Sequence, residues 1–222
     1  MRPPRAEWLR LAGERLRVDW WLKMTVTMLL MTGFFVVYFW LLNHTRTPMT
    51  TVPRIFIDRW IAFFPAAWPL YVSLWIYVPL APALLTERRE MAFYTLATVA
   101  LSVAGFGFFI LWPTTIATSD IDWSLHPSLS YLKSVDASGN AFPSLHVAFA
   151  VFTGFWFGRF LGRIGAPRAV RALNWVWCLG IVYSTVAIRQ HVALDAVAGA
   201  VLGFAAALLH SLSMNLFSTE SA

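Results

Sequence analysis

Six apolar runs divide this chain, and each is long enough to cross the hydrocarbon of a bilayer, which needs about 17 to 25 residues per helix. They are Met24 to Leu42, Ala66 to Leu85, Met91 to Trp112, Leu145 to Leu161, Ala172 to Ile188 and Val192 to His210. Of 222 residues, 59% are hydrophobic and 13% charged, whereas a soluble domain carries about a quarter charged residues. The predicted fold class is an all-α membrane protein: six transmembrane helices with an amino-terminal interfacial helix. The predicted divisions are an amphipathic cytoplasmic or interfacial segment over 1–23, a six-helix membrane domain over 24–212, and a short cytoplasmic tail over 213–222. The first run follows basic residues, but it is too long for a secretory signal and no small-residue cleavage site follows. Phe56 to Phe64 reads as a short interfacial segment.

Lysine and arginine near span ends favour the cytoplasm. Twelve of the 17 fall on one side: Arg2, Arg5, Arg10, Arg15, Arg17, Lys23, Arg88, Arg89, Arg159, Arg163, Arg168 and Arg171. The other side has Arg46, Arg54, Arg59, Lys133 and Arg189. The expected protein is therefore multi-pass, as in a bacterial inner membrane, with both termini cytoplasmic and the Pro113 to Ser144 loop outside. The net charge of +6 belongs to this topology rather than to nucleic acid. Cys178 is the single cysteine, so neither an intramolecular disulfide nor a thiolate metal cluster can form. No internal repeat or pair of broken helices points to a secondary transporter.

Two polar clusters interrupt the apolar sequence, both at the outward start of a span: Asn140-Ala-Phe-Pro-Ser-Leu-His146, and Arg189-Gln-His191 with Asp195. His191 and Asp195 are four apart, so on a helix the carboxylate can hold one ring nitrogen while the other points at substrate. Such a histidine is a usable nucleophile or base. Pro143 and Ser144 are helix-start signals, and a helix amino terminus attracts anions.

These residues resemble the type 2 phosphatidic acid phosphatase superfamily of membrane lipid phosphatases and phosphotransferases. Its signatures are KxxxxxxRP, then PSGH, then SRxxxxxHxxxD. Pro143 to His146 matches the second with leucine for glycine, and Ser184-Thr185 through His191 to Asp195 matches the third with threonine for arginine. The first is absent. With Phe142, the FPSLH and ST forms resemble the branch containing inositol phosphorylceramide synthases, and the likeness runs from about Trp112 to Ala200.

The resemblance implies a histidine mechanism without metal or other cofactor. His191 would form a phosphohistidine, Asp195 would orient it, and His146 would protonate the leaving oxygen. The implied substrate is a lipid phosphate from the bilayer, and the acceptor is water, an alcohol or a second lipid. Charge on phosphorus would fall to Lys133 and Arg189. Residues four apart share a helix face, so if the fifth helix continues through Arg189, its guanidinium reaches the phosphate beside Thr185. Asn140 and Ser144 either contact phosphate or only cap a helix. Asp120, Asp122 and Asp136 read as solvated loop charges, and His126 has no family counterpart. Two rival readings are a metal-dependent hydrolase using His126, His146, His191 and the loop aspartates, and a transporter or scaffold in which the histidines relay protons or join helices.

Overall fold

The computed structural model describes residues 7–45, 48–117, 121–135 and 139–219. Arg2, Arg5, Arg46, Asp120, Asp136 and the end of the tail lie outside the described residues. In chain order come α1 (Glu7–Arg17), α2 (Trp20–Asn43), β1 (Thr50–Val52), α3 (Phe56–Trp60), α4 (Trp68–Val72), α5 (Leu74–Ala83), α6 (Arg88–Leu111), β2 (Thr114–Ile116), α7 (Pro127–Val135), α8 (Leu145–Arg163), α9 (Arg168–Ala187) and α10 (Ala193–Thr219). Among the described residues, α2, α6, α8, α9 and α10 are long and apolar enough to cross a membrane.

The expected second span is broken rather than continuous. A 3-10 turn over Pro65–Ala67 leads into α4, and Ser73 separates α4 from α5. Pro79 and Pro82 lie inside α5, and a proline nitrogen cannot donate to the carbonyl one turn back. Helical bonding nevertheless passes through the junction. The Ser73 amide donates to the Pro69 carbonyl at 3.0 Å, and the Tyr77 amide to the Ser73 carbonyl at 2.9 Å.

The Pro113 to Ser144 stretch, expected as a loop, carries structure too short to read from periodicity. Its β2 pairs in parallel with β1 in the register Thr50↔Thr114. A 3-10 turn at Trp123–Leu125 and α7 follow. At the far end of the bundle, Lys23 is 3% exposed and its ammonium donates to the Arg15 carbonyl at 2.6 Å and the Ala83 carbonyl at 3.1 Å. That satisfies carbonyls that the ends of α1 and α5 would otherwise leave open, and it ties the two helices together.

The core centres on α8, which packs against α5, α6, α9 and α10. Its contact with α10 is close because Gly199 and Gly203 lie one turn apart on the facing side. A Cβ on Gly199 would collide with the Ser144 carbonyl oxygen, and one on Gly203 with that of Ala148. Small residues four apart let membrane helices approach to backbone contact. Gly203→Ala should therefore lose on the order of 1 to 3 kcal/mol by overpacking. Gly107→Ala, with nothing within 4 Å of its new methyl, should be at least as stable as wild type, because alanine is the better helix former. Thermal unfolding in detergent, followed by tryptophan fluorescence, distinguishes them; equal midpoints for both would contradict the tight crossing.

Candidate active site

Thr114 holds the chain that leads into α8. Its carbonyl accepts from the Gly139 amide at 3.1 Å and the Ala141 amide at 3.2 Å, and its hydroxyl accepts from the Phe142 amide at 2.8 Å. Ser144 then caps α8, its Oγ accepting from the Val147 amide at 3.3 Å. The Ser144 side chain is fully buried, and its own N–H donates to the Asp195 carbonyl at 3.1 Å. The capping alternative is thus the one this geometry displays. One residue into α8, the His146 ring lies flat on Tyr71, with centroids 3.9 Å apart and planes 9° apart. Its Nε2 sits 3.0 Å from the Tyr71 carbonyl oxygen. A carbonyl only accepts, so Nε2 carries the hydrogen and donates it, leaving Nδ1 as the nitrogen that takes or gives a proton.

The second cluster is built on a helix end, and here the expected geometry needs correction. The helix expected as the fifth span does not continue through Arg189; α9 stops at Ala187. Arg189 takes φ +60° while its amide donates to the Val186 carbonyl and that of Gln190 to the Thr185 carbonyl, both at 3.0 Å. This is a Schellman closure with arginine where glycine is usual. A left-handed residue with a side chain costs about 1 to 2 kcal/mol, and the guanidinium bonds outward. It donates to the carbonyls of Ile61 at 2.9 Å and Asp58 at 3.5 Å, instead of lying one turn above Thr185, whose hydroxyl donates to the Val182 carbonyl. Burial, then the neighbouring Arg54, lower the Arg189 pKa, and Asp58 opposes them; a guanidinium remains charged through such shifts.

The reversal delivers His191 and starts α10. His191 Nδ1 is 3.5 Å from Asp195 Oδ2, within ion-pair reach and longer than a formed hydrogen bond. Asp195 is fully buried, and its Oδ2 accepts from the Val192 amide at 3.1 Å. Gln190 Nε2, His191 Nδ1 and Asp195 Oδ1 are buried without a hydrogen-bond partner among the described residues. Unsatisfied buried groups are costly, and three of them fall within six residues of the chain here.

His146, His191 and Asn140 line a common cavity of about 670 Å3. The rest of its wall is largely apolar, from Leu29 to Phe39 on α2, Trp75 on α5, and Thr98 to Phe109 on α6. At 1.5 Å per residue, its walls run about 15 Å along the bundle. Leu29, Trp75, Val99 and Val103 are also exposed, so the cavity opens on the apolar flank. Neither Lys133 nor Arg189 lines it. Lys133 donates to the Arg189 carbonyl at 3.0 Å, and its ammonium sits 4.6 Å from the centre of the Trp123 ring. Asn140 donates to the Tyr38 hydroxyl. The His126 ring packs edge-on against Phe63. Asp122 is exposed and caps the turn at Ser124, whose hydroxyl and amide hold its carboxyl below the ordinary range. Among the described residues, no three His, Cys, Asp or Glu side chains converge as metal ligands.

Sequence reasoning missed Asp58, a lone acid in an aromatic segment with no motif around it. Only 4% exposed, it accepts from the Ile55 amide at 2.7 Å through Oδ2 and from the Ala193 amide at 2.7 Å through Oδ1. It therefore fixes the start of α10, two residues beyond His191, to α3. Asp58→Asn turns one acceptor into a donor facing an amide, and should cost about 1 to 3 kcal/mol. A lower unfolding midpoint together with a lower turnover is expected; wild-type values of both would remove Asp58 from the site's support.

A family model described as the PAP2 superfamily matches residues 89–218. No curated protein and no solved structure matches the chain. A match over more than half of the 222 residues, carrying both histidine clusters at one cavity, places the chain in a family: it belongs to the PAP2 superfamily.

Proposed function

We propose that this protein is a membrane phosphatase or phosphotransferase that acts on a phosphorylated lipid through a phosphohistidine at His191. The observation that carries this reading is the pairing of His146 and His191 at one end of a largely apolar cavity. Superfamily members are phosphatases or phosphotransferases, and a cavity with apolar walls suits acyl chains better than a soluble phosphate ester.

In the proposed reaction, Asp195 holds the His191 Nδ1 hydrogen, so that the Nε2 lone pair attacks phosphorus. As the P–O bond to the leaving group breaks, Nδ1 of a protonated His146 gives its proton to that oxygen. In the second half, the oxygen of water or an alcohol attacks phosphorus, its proton passes to His146, and the N–P bond breaks. One imidazole must start protonated and the other neutral. Asn140 is proposed to reach the phosphate, and Ser144 to act by setting the start of α8. Lys133 and Arg189 are proposed as the cations at the rim. The Arg189 guanidinium would turn from the Asp58 and Ile61 carbonyls to hold two phosphate oxygens, which suits its planar fork.

Transfer to an alcohol, as in the inositol phosphorylceramide synthase-like branch, is a second reading with its own support. Leu145 stands where the signature has glycine, lines the cavity beside His146, and packs against Gly105. That apolar wall beside the acid disfavours water. Supplying a lipid phosphate with and without an alcohol acceptor, and measuring released phosphate against new phosphodiester, separates the two readings.

The histidine roles predict an acid-labile phosphoenzyme from wild type on rapid quenching with labelled lipid phosphate. None should form from His191→Ala, while His146→Ala should slow formation most for poor leaving groups. Equal phosphoenzyme yields from wild type and His191→Ala would contradict the nucleophile assignment.

We further propose six crossings, with α4 and α5 jointly forming the second, α1 on the membrane surface, both termini cytoplasmic and the histidines on the non-cytoplasmic side. The arginine-rich ends of α1, α8 and α9 support this orientation. Ser128 and Ala169 are both exposed. In a Cys178→Ala background, an impermeant thiol reagent on intact cells should label Ser128→Cys and spare Ala169→Cys; the opposite pattern would reverse the orientation.

A further inference from the structure

Three arginines converge at the end of the bundle opposite the histidines. Arg159 and Arg163 lie 13 and 17 positions after His146 on α8, or about 20 and 26 Å along the helix. With Arg15 of α1, they line a pocket of about 190 Å3 walled by Leu85, Trp156 and Phe160, with His210 and Glu90 at its edge. Each guanidinium uses one hydrogen bond among the described residues. Arg15 donates to Thr86 Oγ1 at 3.3 Å, Arg159 to the Ala207 carbonyl at 3.4 Å, and Arg163 to Glu90 at 3.3 Å. A guanidinium has five N–H donors, so most of them remain for a ligand. The Arg15 guanidinium also lies 5.4 Å from the centre of the Phe160 ring.

Three positive charges against the single carboxylate of Glu90 leave a net charge of +2 in this pocket, counting His210 as neutral. Like charges gathered beside aromatic walls repel with less screening than in water, and a shared anion reverses the sign of that interaction. We propose that Arg15, Arg159 and Arg163 form a second, non-catalytic site that binds a phosphate oxyanion, carried by an anionic lipid headgroup or free in solution. Arginine forks match phosphate oxygens in pairs, and basic pockets between helix ends take anionic lipid headgroups. The ligand would join α1 to α8 and to the His210 end of α10. Anion binding at this end requires no phosphoryl transfer at His191.

The test uses the full chain in a neutral detergent, with unfolding followed by tryptophan fluorescence. Phosphatidylglycerol should raise the midpoint, phosphatidylcholine of equal chain length should not, and sodium phosphate is compared with sodium chloride at matched ionic strength. A rise with phosphatidylglycerol alone identifies a lipid headgroup; an equal rise with phosphate identifies the free ion. Arg163→Gln, which breaks only an ion pair whose arginine side chain is 64% exposed, should fold and lose roughly tenfold in affinity for the effective anion. Arg15→Gln combined with it should abolish the rise, whereas His191→Ala should keep it. Native mass spectrometry of wild type in mixed lipid gives a second readout, in which phosphatidylglycerol should stay bound in preference to phosphatidylcholine. No rise with either anion, or an undiminished rise in Arg163→Gln, would overturn the site.

Discussion

The hydrogen bond from the Ser144 amide to the Asp195 carbonyl joins the starts of the two helices that carry the proposed chemistry. It requires backbone approach, and Gly199 and Gly203 permit that by leaving room for the carbonyls of Ser144 and Ala148. The α8–α10 crossing therefore fixes the angle of both helices and, with it, where His146 and His191 stand. Around this joint, Thr114 sets the chain entering α8, Asp58 sets the first turn of α10, and the Arg189 reversal sets the end of α9. Each works through backbone amides and carbonyls, so the site's geometry depends on hydrogen bonds that apolar surroundings make expensive to lose.

Much of this was legible in the sequence, for particular reasons. Long apolar runs announced α2, α6, α8, α9 and α10, because a membrane imposes one length and one chemistry on a helix. His146, His191 and Asp195 stood out because ionisable residues within membrane segments are rare. Asp58, Thr114 and Tyr71 were not legible, since their contributions come from partners 28 to 135 positions away. The two parallel strands escaped notice because three residues cannot display an alternation. Arg189 misled for a local reason: nothing in its neighbours announces a positive φ at a residue other than glycine, and helix-face reasoning fails once the helix stops.

The pocket of three arginines and the histidine cavity divide the molecule into two ends of unlike chemistry. At the histidine end, charged side chains are caps and rim groups: Asp58 and Asp195 hold amides, while Lys133 and Arg189 bond carbonyls beside a cavity they do not line. At the other end, arginines gather in one pocket, and Lys23 is buried between the ends of two helices. Basic side chains thus hold backbone carbonyls at both ends, while the arginine pocket also concentrates charge.

The opening of the cavity on the apolar flank, between α2, α5 and α6, has a consequence for how the proposed enzyme meets its substrate. A molecule that enters by that route arrives by diffusing in two dimensions within a leaflet, without passing through water. Turnover would then be governed by the mole fraction of substrate among its neighbouring lipids. Diluting the membrane with inert lipid would slow the reaction, whereas adding buffer around unchanged vesicles would leave it alone.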